Sequence, residues 1–128
     1  MKLGWAIYYV PDVAATLAFY EAAFGCTRGM MTEGGEFGTL QTGETTLAFC
    51  AESFLAADDF AFEPMRREKP LPAFEIAFVT DDVEGAYVRA VEAGAAPLIA
   101  PKAKPWGQIV SYVRDINGFQ VEICSPVA

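Results

Sequence analysis

Residues 5–13, WAIYYVPDV, and residues 75–83, EIAFVTDDV, are two versions of one pattern. Each is an apolar run of strand character that ends in Asp-Val and passes into helical spacing. Asp12 and Asp82 correspond (82 − 12 = 70), and the same offset pairs Trp5 with Glu75, Tyr8 with Phe78 and Val13 with Val83. An internal repeat of this kind describes a chain built from two like modules.

Both Asp residues are good helix N-caps, because a carboxylate accepts the free N–H groups of a first turn. After Asp12, the apolar residues Val13, Leu17, Tyr20 and Phe24 fall on one helical stripe, and Gly25 is a suitable stop. After Asp82 the stripe is Val83, Tyr87 and Val91, with Gly94 as the second stop. Strands are expected near 26–32, 36–42 and 44–51, and again near 96–100, 107–114 and 119–125. Asn117-Gly118 signals the last hairpin turn. The closing strands match as well: LAFC (47–50) against VEIC (121–124) sets Ala48 opposite Glu122.

These readings predict an α+β fold with two βαβββ modules in one chain. Each module is a curved mixed sheet with a helix on its convex face and a cavity on its concave face. The expected boundaries are 1–51 and 73–128, joined by a linker at 52–72 with one short helical turn, in a single domain over 1–128.

Composition narrows the function. The 128 residues suffice for one core, and 53% hydrophobic with 13% aromatic residues suits a packed protein. A net charge of −8 opposes binding to phosphate backbones. The basic groups Arg66, Arg67 and Lys69, and Lys102 with Lys104, fall in Pro-containing stretches expected to be loops, so no nucleic acid partner is expected. No apolar run approaches the roughly 20 residues that span a bilayer, and no membrane partner is expected. The opening MKLGWAIYYVPD lacks a signal-peptide pattern. Three cysteines, none in CxxC, fit a reducing compartment, so a cytoplasmic location is expected. There is no histidine, which removes Ser-His, Cys-His and His-based metal sites.

Strand alternation then sorts side chains by face. Trp5, Ile7 and Tyr9 share one face of the first strand; Ala6, Tyr8 and Val10 share the other. Phe74, Ile76 and Phe78 are expected under the helix, with Glu75 on the concave face. On the last strand Gln120, Glu122 and Cys124 face the cavity, as Ala48 does in its counterpart. Glu122 is therefore polar because it meets a cavity rather than a core.

The stretches YYVPDVAATLAFYEAAFG, AFEIAFVTDDVEGAYVRAVEAGA and KPWGQIVSYVRDINGFQVEICSP resemble the vicinal oxygen chelate superfamily. That group includes glyoxalase I, extradiol dioxygenases, fosfomycin-resistance enzymes and bleomycin-resistance proteins. In its metal-dependent members, the first and last strands of each module supply the ligands. Carried onto this chain, those positions are Trp5, Ala48, Glu75 and Glu122. Only Glu122 matches a usual ligand by type, so no metal residue is assigned and no cofactor is expected. A weak, hydrated divalent site at Glu75 and Glu122 is the alternative. The resemblance also places Trp106, in KPWGQ, at the pocket rim.

The residues support a binding protein first. Its small-molecule ligand is planar or cationic, held without metal by Trp5, Ile7, Tyr9, Ala48, Glu75, Trp106, Tyr112, Gln120 and Glu122. Aromatic faces stack on planar cations, and an acidic cavity attracts them. By analogy with bleomycin-resistance proteins, a homodimer is expected. The competing reading is a glyoxalase-like lyase or isomerase in which Glu75 and Glu122 are the catalytic acid and base, or a weak metal site. An epimerase or lyase that uses this acid pair without metal is a third. Dioxygenase or fosfomycin-transferase chemistry fits least, for want of histidine ligands.

Overall fold

In the computed structural model, which describes residues 1–55 and 61–127, the elements recur in the order that the repeat requires. The order is β1 (Trp5–Val10), α1 (Val13–Phe24), β2 (Thr27–Met31), β3 (Phe37–Gln41), β4 (Thr46–Ala51) and α2 (Glu52–Leu55). It continues with β5 (Glu75–Val79), α3 (Val83–Glu92), β6 (Ala96–Ala103), β7 (Ile109–Arg114) and β8 (Gln120–Cys124). The strands form two four-stranded sheets, β1-β4-β3-β2 and β5-β8-β7-β6. In each, the first pair is parallel and the other two are antiparallel, so both sheets are mixed. The fold is α+β, with two βαβββ modules.

The register puts the repeat on a residue-by-residue footing. Ile7 pairs with Ala48 on β1–β4, and Ala77 pairs with Glu122 on β5–β8. The offsets are 77 − 7 = 70 and 122 − 48 = 74, so Ala48 and Glu122 hold equivalent places.

Both helices start on the expected caps. The Asp12 carboxylate accepts from Ala15 N at 3.0 Å, and the Asp82 carboxylate accepts from Gly85 N at 3.0 Å. Helix α1 stops at Gly25, which takes the left-handed conformation (φ 67°). Val13, Leu17 and Tyr20 are buried along α1, and Tyr20 packs on Phe49 of β4 with ring centroids 5.0 Å apart. Gly38 lets α1 approach β3: a Cβ there would lie 2.7 Å from Leu17 Cδ1. In the second module Val83 and Ala90 of α3 are buried, as are Val121 and Ile123 of β8.

The chain divides into two compact units. One comprises Met1–Glu21 and Gly25–Met65, the other Ala22–Phe24 and Arg66–Ala128. Within the second, Phe24 stacks on Phe78 at 5.0 Å, which accounts for the last position of the α1 stripe. The expected linker is thus shared, its first part with unit one and its remainder with unit two. It contains the expected helical turn, α2; Asp58-Asp59 lie outside the described residues.

Three local expectations are corrected. Strand β6 reaches Ala103 rather than stopping near 100, and so Lys102 lies on a strand, not in a loop. It is an edge strand, with register shifts between Pro97 and Ile99 and between Ile99 and Lys102. Prolines are tolerated at such edges and bulges because no ladder donor is demanded of them. Phe74 precedes β5, so strand alternation does not apply to it; it is exposed rather than tucked beneath α3.

The β7–β8 hairpin is tied to the chain that leads into β5. Arg114 is only 8% exposed, and its guanidinium donates to the carbonyls of Gly118 (2.8 Å), Lys69 (2.6 Å) and Arg66 (3.2 Å). Asp115 is fully buried, and its Oδ1 accepts from the backbone N–H groups of Asn117, Gly118 and Phe119. Charge-assisted bonds of this kind are among the strongest that a turn can use.

Candidate functional site

In each module the helix covers one sheet face, and the other carries the candidate residues. On the first sheet Ala6, Tyr8 and Val10 lie toward the helix side, while Trp5, Ile7 and Tyr9 share the opposite face. Trp5 is 54% exposed and sits 6.2 Å from Phe37 between ring centroids. Tyr9 meets Phe62, from the segment after α2, in an edge-on contact at 5.1 Å. Ala48 is on this face by register, between Ile7 and Thr39, and is 0% exposed. Its methyl group is screened by its larger neighbours.

On the second sheet the open face is polar. Glu75 and Gln120 are register partners, as are Tyr112 and Glu122. The Tyr112 hydroxyl and the Cys124 thiol both feel the Glu122 carboxylate, and the thiol donates to the Phe78 carbonyl at 3.8 Å. Burial first, and then Glu122, push the Tyr112 hydroxyl up to about 12 and the Cys124 thiol up to about 11. At neutral pH both stay protonated, which leaves Cys124 a poor nucleophile. Burial raises the Glu75 carboxyl too, and the negative charge of Glu122 adds to the shift.

Beside this cluster the second unit has a cleft of about 580 Å³. Its polar lining is Glu75, Lys104, Tyr112 and Gln120, and its apolar lining is Leu71, Phe74, Leu98 and Ile99. Three of the expected ligand residues, Glu75, Tyr112 and Gln120, are therefore brought together, with Glu122 adjoining through Tyr112. Trp106 does not line this cleft: it is 62% exposed, and its indole N–H donates to Gln108 Oε1 at 2.9 Å.

Sequence reasoning missed the apolar wall and the lysine. Leu98 and Ile99 read as an ordinary strand, and only the bulges of β6 turn two successive side chains to the same cleft. Leu71 sits in the expected linker. Lys104 was legible only as part of a basic pair.

Trp5, Ala48, Glu75 and Glu122, the positions where the family resemblance would place metal ligands, do not make a donor set. Ala48 offers a methyl group, and the Trp5 indole N–H is a donor with no lone pair to give. Glu75 and Glu122 remain, and two carboxylates fall short of the three protein ligands of a usual transition-metal centre. Among the described residues no group of three or more His, Cys, Asp or Glu side chains is gathered for an ion.

The paired mixed sheets define a two-module α+β protein with a cleft on one open face. The model of the Glyoxalase/Bleomycin resistance protein/Dioxygenase superfamily matches residues 2–123, and the chain belongs to that family. Solved structures agree on the fold. A glyoxalase-related enzyme from Fulvimarina pelagi superposes with a TM-score of 0.83 at 22% identity, covering 98% of this chain and 88% of that one. A glyoxalase/bleomycin resistance protein/dioxygenase family enzyme from Burkholderia phytofirmans PsJN gives 0.79 at 21% identity, covering 100% of both chains. A superfamily member from Sphaerobacter thermophilus gives 0.72 at 21% identity, covering 98% of both. Curated proteins give no match to the sequence. No helix among the described residues is long and apolar enough to cross a membrane.

Proposed function

We propose that this protein binds a small planar or cationic molecule in the cleft of its second unit, and that it does so without a metal. The observation that carries the reading is the composition of the cleft. Its volume of about 580 Å³ suits a small organic ligand. Its walls pair four large apolar side chains with a carboxylate, a phenol, an amide and the Lys104 ammonium. Glu75 and Glu122 repel each other, and a bound cation relieves that repulsion. Binding of this kind requires no catalytic group.

A second reading is favoured by one observation. The Glu75 carboxyl is raised by burial and by Glu122, the direction a general base near neutrality needs. In that case the protein is a lyase or isomerase with Glu75 and Glu122 as its acid–base pair. The assembly in either case is a homodimer: Trp5 and Ile7 on one sheet and Val79 on the other are exposed, and a second copy would cover them. The cysteines are free thiols, which supports a cytoplasmic location.

Metal analysis of tag-free protein purified without chelator, followed by calorimetric titration, tests the main reading. Ni²⁺, Zn²⁺, Mn²⁺ and Mg²⁺ should bind weakly or not at all. Tryptamine, a planar aromatic cation, should bind, and Glu75→Gln should weaken it. Tight stoichiometric metal would instead make the carboxylates ligands and put glyoxalase-type chemistry first.

A further inference from the structure

The cleft contains a cation as well as carboxylates, although the chain as a whole carries a charge of −8. Lys104 follows directly on β6, and its backbone is pinned on both sides. Its N–H donates to the Gln108 carbonyl at 2.8 Å, and its own carbonyl accepts from Gly107 at 2.9 Å. The hairpin turn KPWG therefore fixes the base of this side chain, and its stem lies along the cleft wall.

Lys104 is only partly exposed, yet its ammonium has no ion-pair or hydrogen-bond partner among the described residues. Glu75 lines the same cleft, and its carboxylate has no such partner either. The charged atoms of the two residues lie more than 4.0 Å apart, so they do not satisfy each other. Two opposite charges thus share one cleft without pairing, and the apolar side chains of Leu71, Phe74, Leu98 and Ile99 share it with them. Gln120 adds an amide that can both donate and accept. A singly charged ligand would answer one of these groups and leave the other as it is.

We propose that the cleft takes an amphoteric ligand: an anionic group meets the Lys104 ammonium, a cationic or hydrogen-bond-donating group meets Glu75, and an apolar body lies against the hydrophobic wall. This rests on the reading of the cleft as the ligand site and narrows it from cations to zwitterions of amino-acid type. Lys104 is then a residue that sets specificity.

Three probes that share an indole body separate the terms: tryptamine (cation only), indole-3-propionate (anion only) and tryptophan (both). Binding is followed by backbone amide shifts at Glu75, Tyr112 and Gln120. Tryptophan should bind about two- to fivefold more tightly than tryptamine, as expected for one partly solvated ion pair. Lys104→Gln should erase that preference by weakening tryptophan alone, while tryptamine, relieved of a like charge in the cleft, binds at least as well as before, and Lys104→Arg should retain it. Equal binding of tryptophan and tryptamine, or a Lys104→Gln variant that weakens both alike, overturns the inference and leaves the cationic binding site standing. Failure of all three probes to shift these amides overturns the inference together with the site.

Discussion

Beside Ile7 on the first sheet stands Ala48; at the equivalent place beside Ala77 on the second stands Glu122. Trp5 corresponds to Glu75 in the repeat, and Thr39 to Tyr112, because Thr39 pairs across the strands with Ala48 as Tyr112 does with Glu122. One backbone plan thus carries two chemistries. The first open face is aromatic and apolar, with an alanine wholly screened at its centre. The second sets acids, an amide and a phenol on neighbouring strands beside a cleft. The contrast shows that the repeat specifies the fold, whereas the outward positions of each strand are free to vary. Helix-facing side chains must match the core; those on the other face answer only to ligand or partner.

The largest test of that contrast moves the acid across. Ala48→Glu would place a carboxylate at a position with no exposure. Its cross-strand neighbour there is Thr39, whose hydroxyl already accepts from Met30 N at 3.0 Å. Overpacking and an uncompensated charge should together cost on the order of 3–5 kcal/mol in denaturant unfolding. A variant within 1 kcal/mol of the parent, by the same reckoning, would mean that the two faces are interchangeable after all.

The division between legible and hidden features follows from range. Asp12 and Asp82 act through their own next turn, so both caps could be read directly. Alternation along β1 and β8 placed Trp5, Ile7, Gln120 and Glu122 on the open faces, because period-two geometry is local. Phe74 was misplaced because nothing local shows where β5 begins. Leu98 and Ile99 escaped because a bulge depends on the partner strand. The Arg114 clamp joins residues 45 and 48 positions apart, to Lys69 and Arg66, and no motif announces such a bond. Lys104 reaches the cleft through the geometry of its turn, and its charge alone gave no hint of that.

The hairpins sharpen the comparison at a second scale. Gly43, between β3 and β4, and Gly118, between β7 and β8, have nearly equal positive φ values of 103° and 106°. Backbone strain on substitution should therefore be similar, on the order of 1–3 kcal/mol. Their surroundings differ. A Cβ at Gly43 meets nothing within 4 Å, whereas one at Gly118 would lie 2.4 Å from the Arg66 carbonyl oxygen. That carbonyl is one that Arg114 holds. Gly118→Ala should thus be the more destabilising by a further ~1–2 kcal/mol, the usual cost of overpacking. It should also raise amide exchange at Lys69, whose N–H is bonded to the same carbonyl. Equal losses for Gly43→Ala and Gly118→Ala would show that the clamp contributes little.

The smallest effect concerns Glu75, and it depends on pH in a definite sense. Its carboxyl titrates above the ordinary 4.5 because partial desolvation of an otherwise exposed group, and then the charge of Glu122, disfavour the ionised form. A folded-state value raised above the unfolded one means that the native state holds this proton more firmly. Any stability gained is complete below the unfolded value and is lost as pH rises through the folded one. At neutral pH, then, the ionised Glu75 is a mild liability that the sequence retains. Glu75→Gln should make the protein more stable at pH 7 by no more than about 0.5 kcal/mol, since the side chain is exposed and solvent screens its charge. Below pH 4.5 the two proteins should unfold together. On the first sheet the equivalent Trp5 has no such titration, so Trp5→Phe should leave the pH profile unchanged. A Glu75→Gln variant less stable at pH 7 than its parent would mean that the carboxylate is held by an attraction, and the case for a cation-seeking cleft would lose its electrostatic basis.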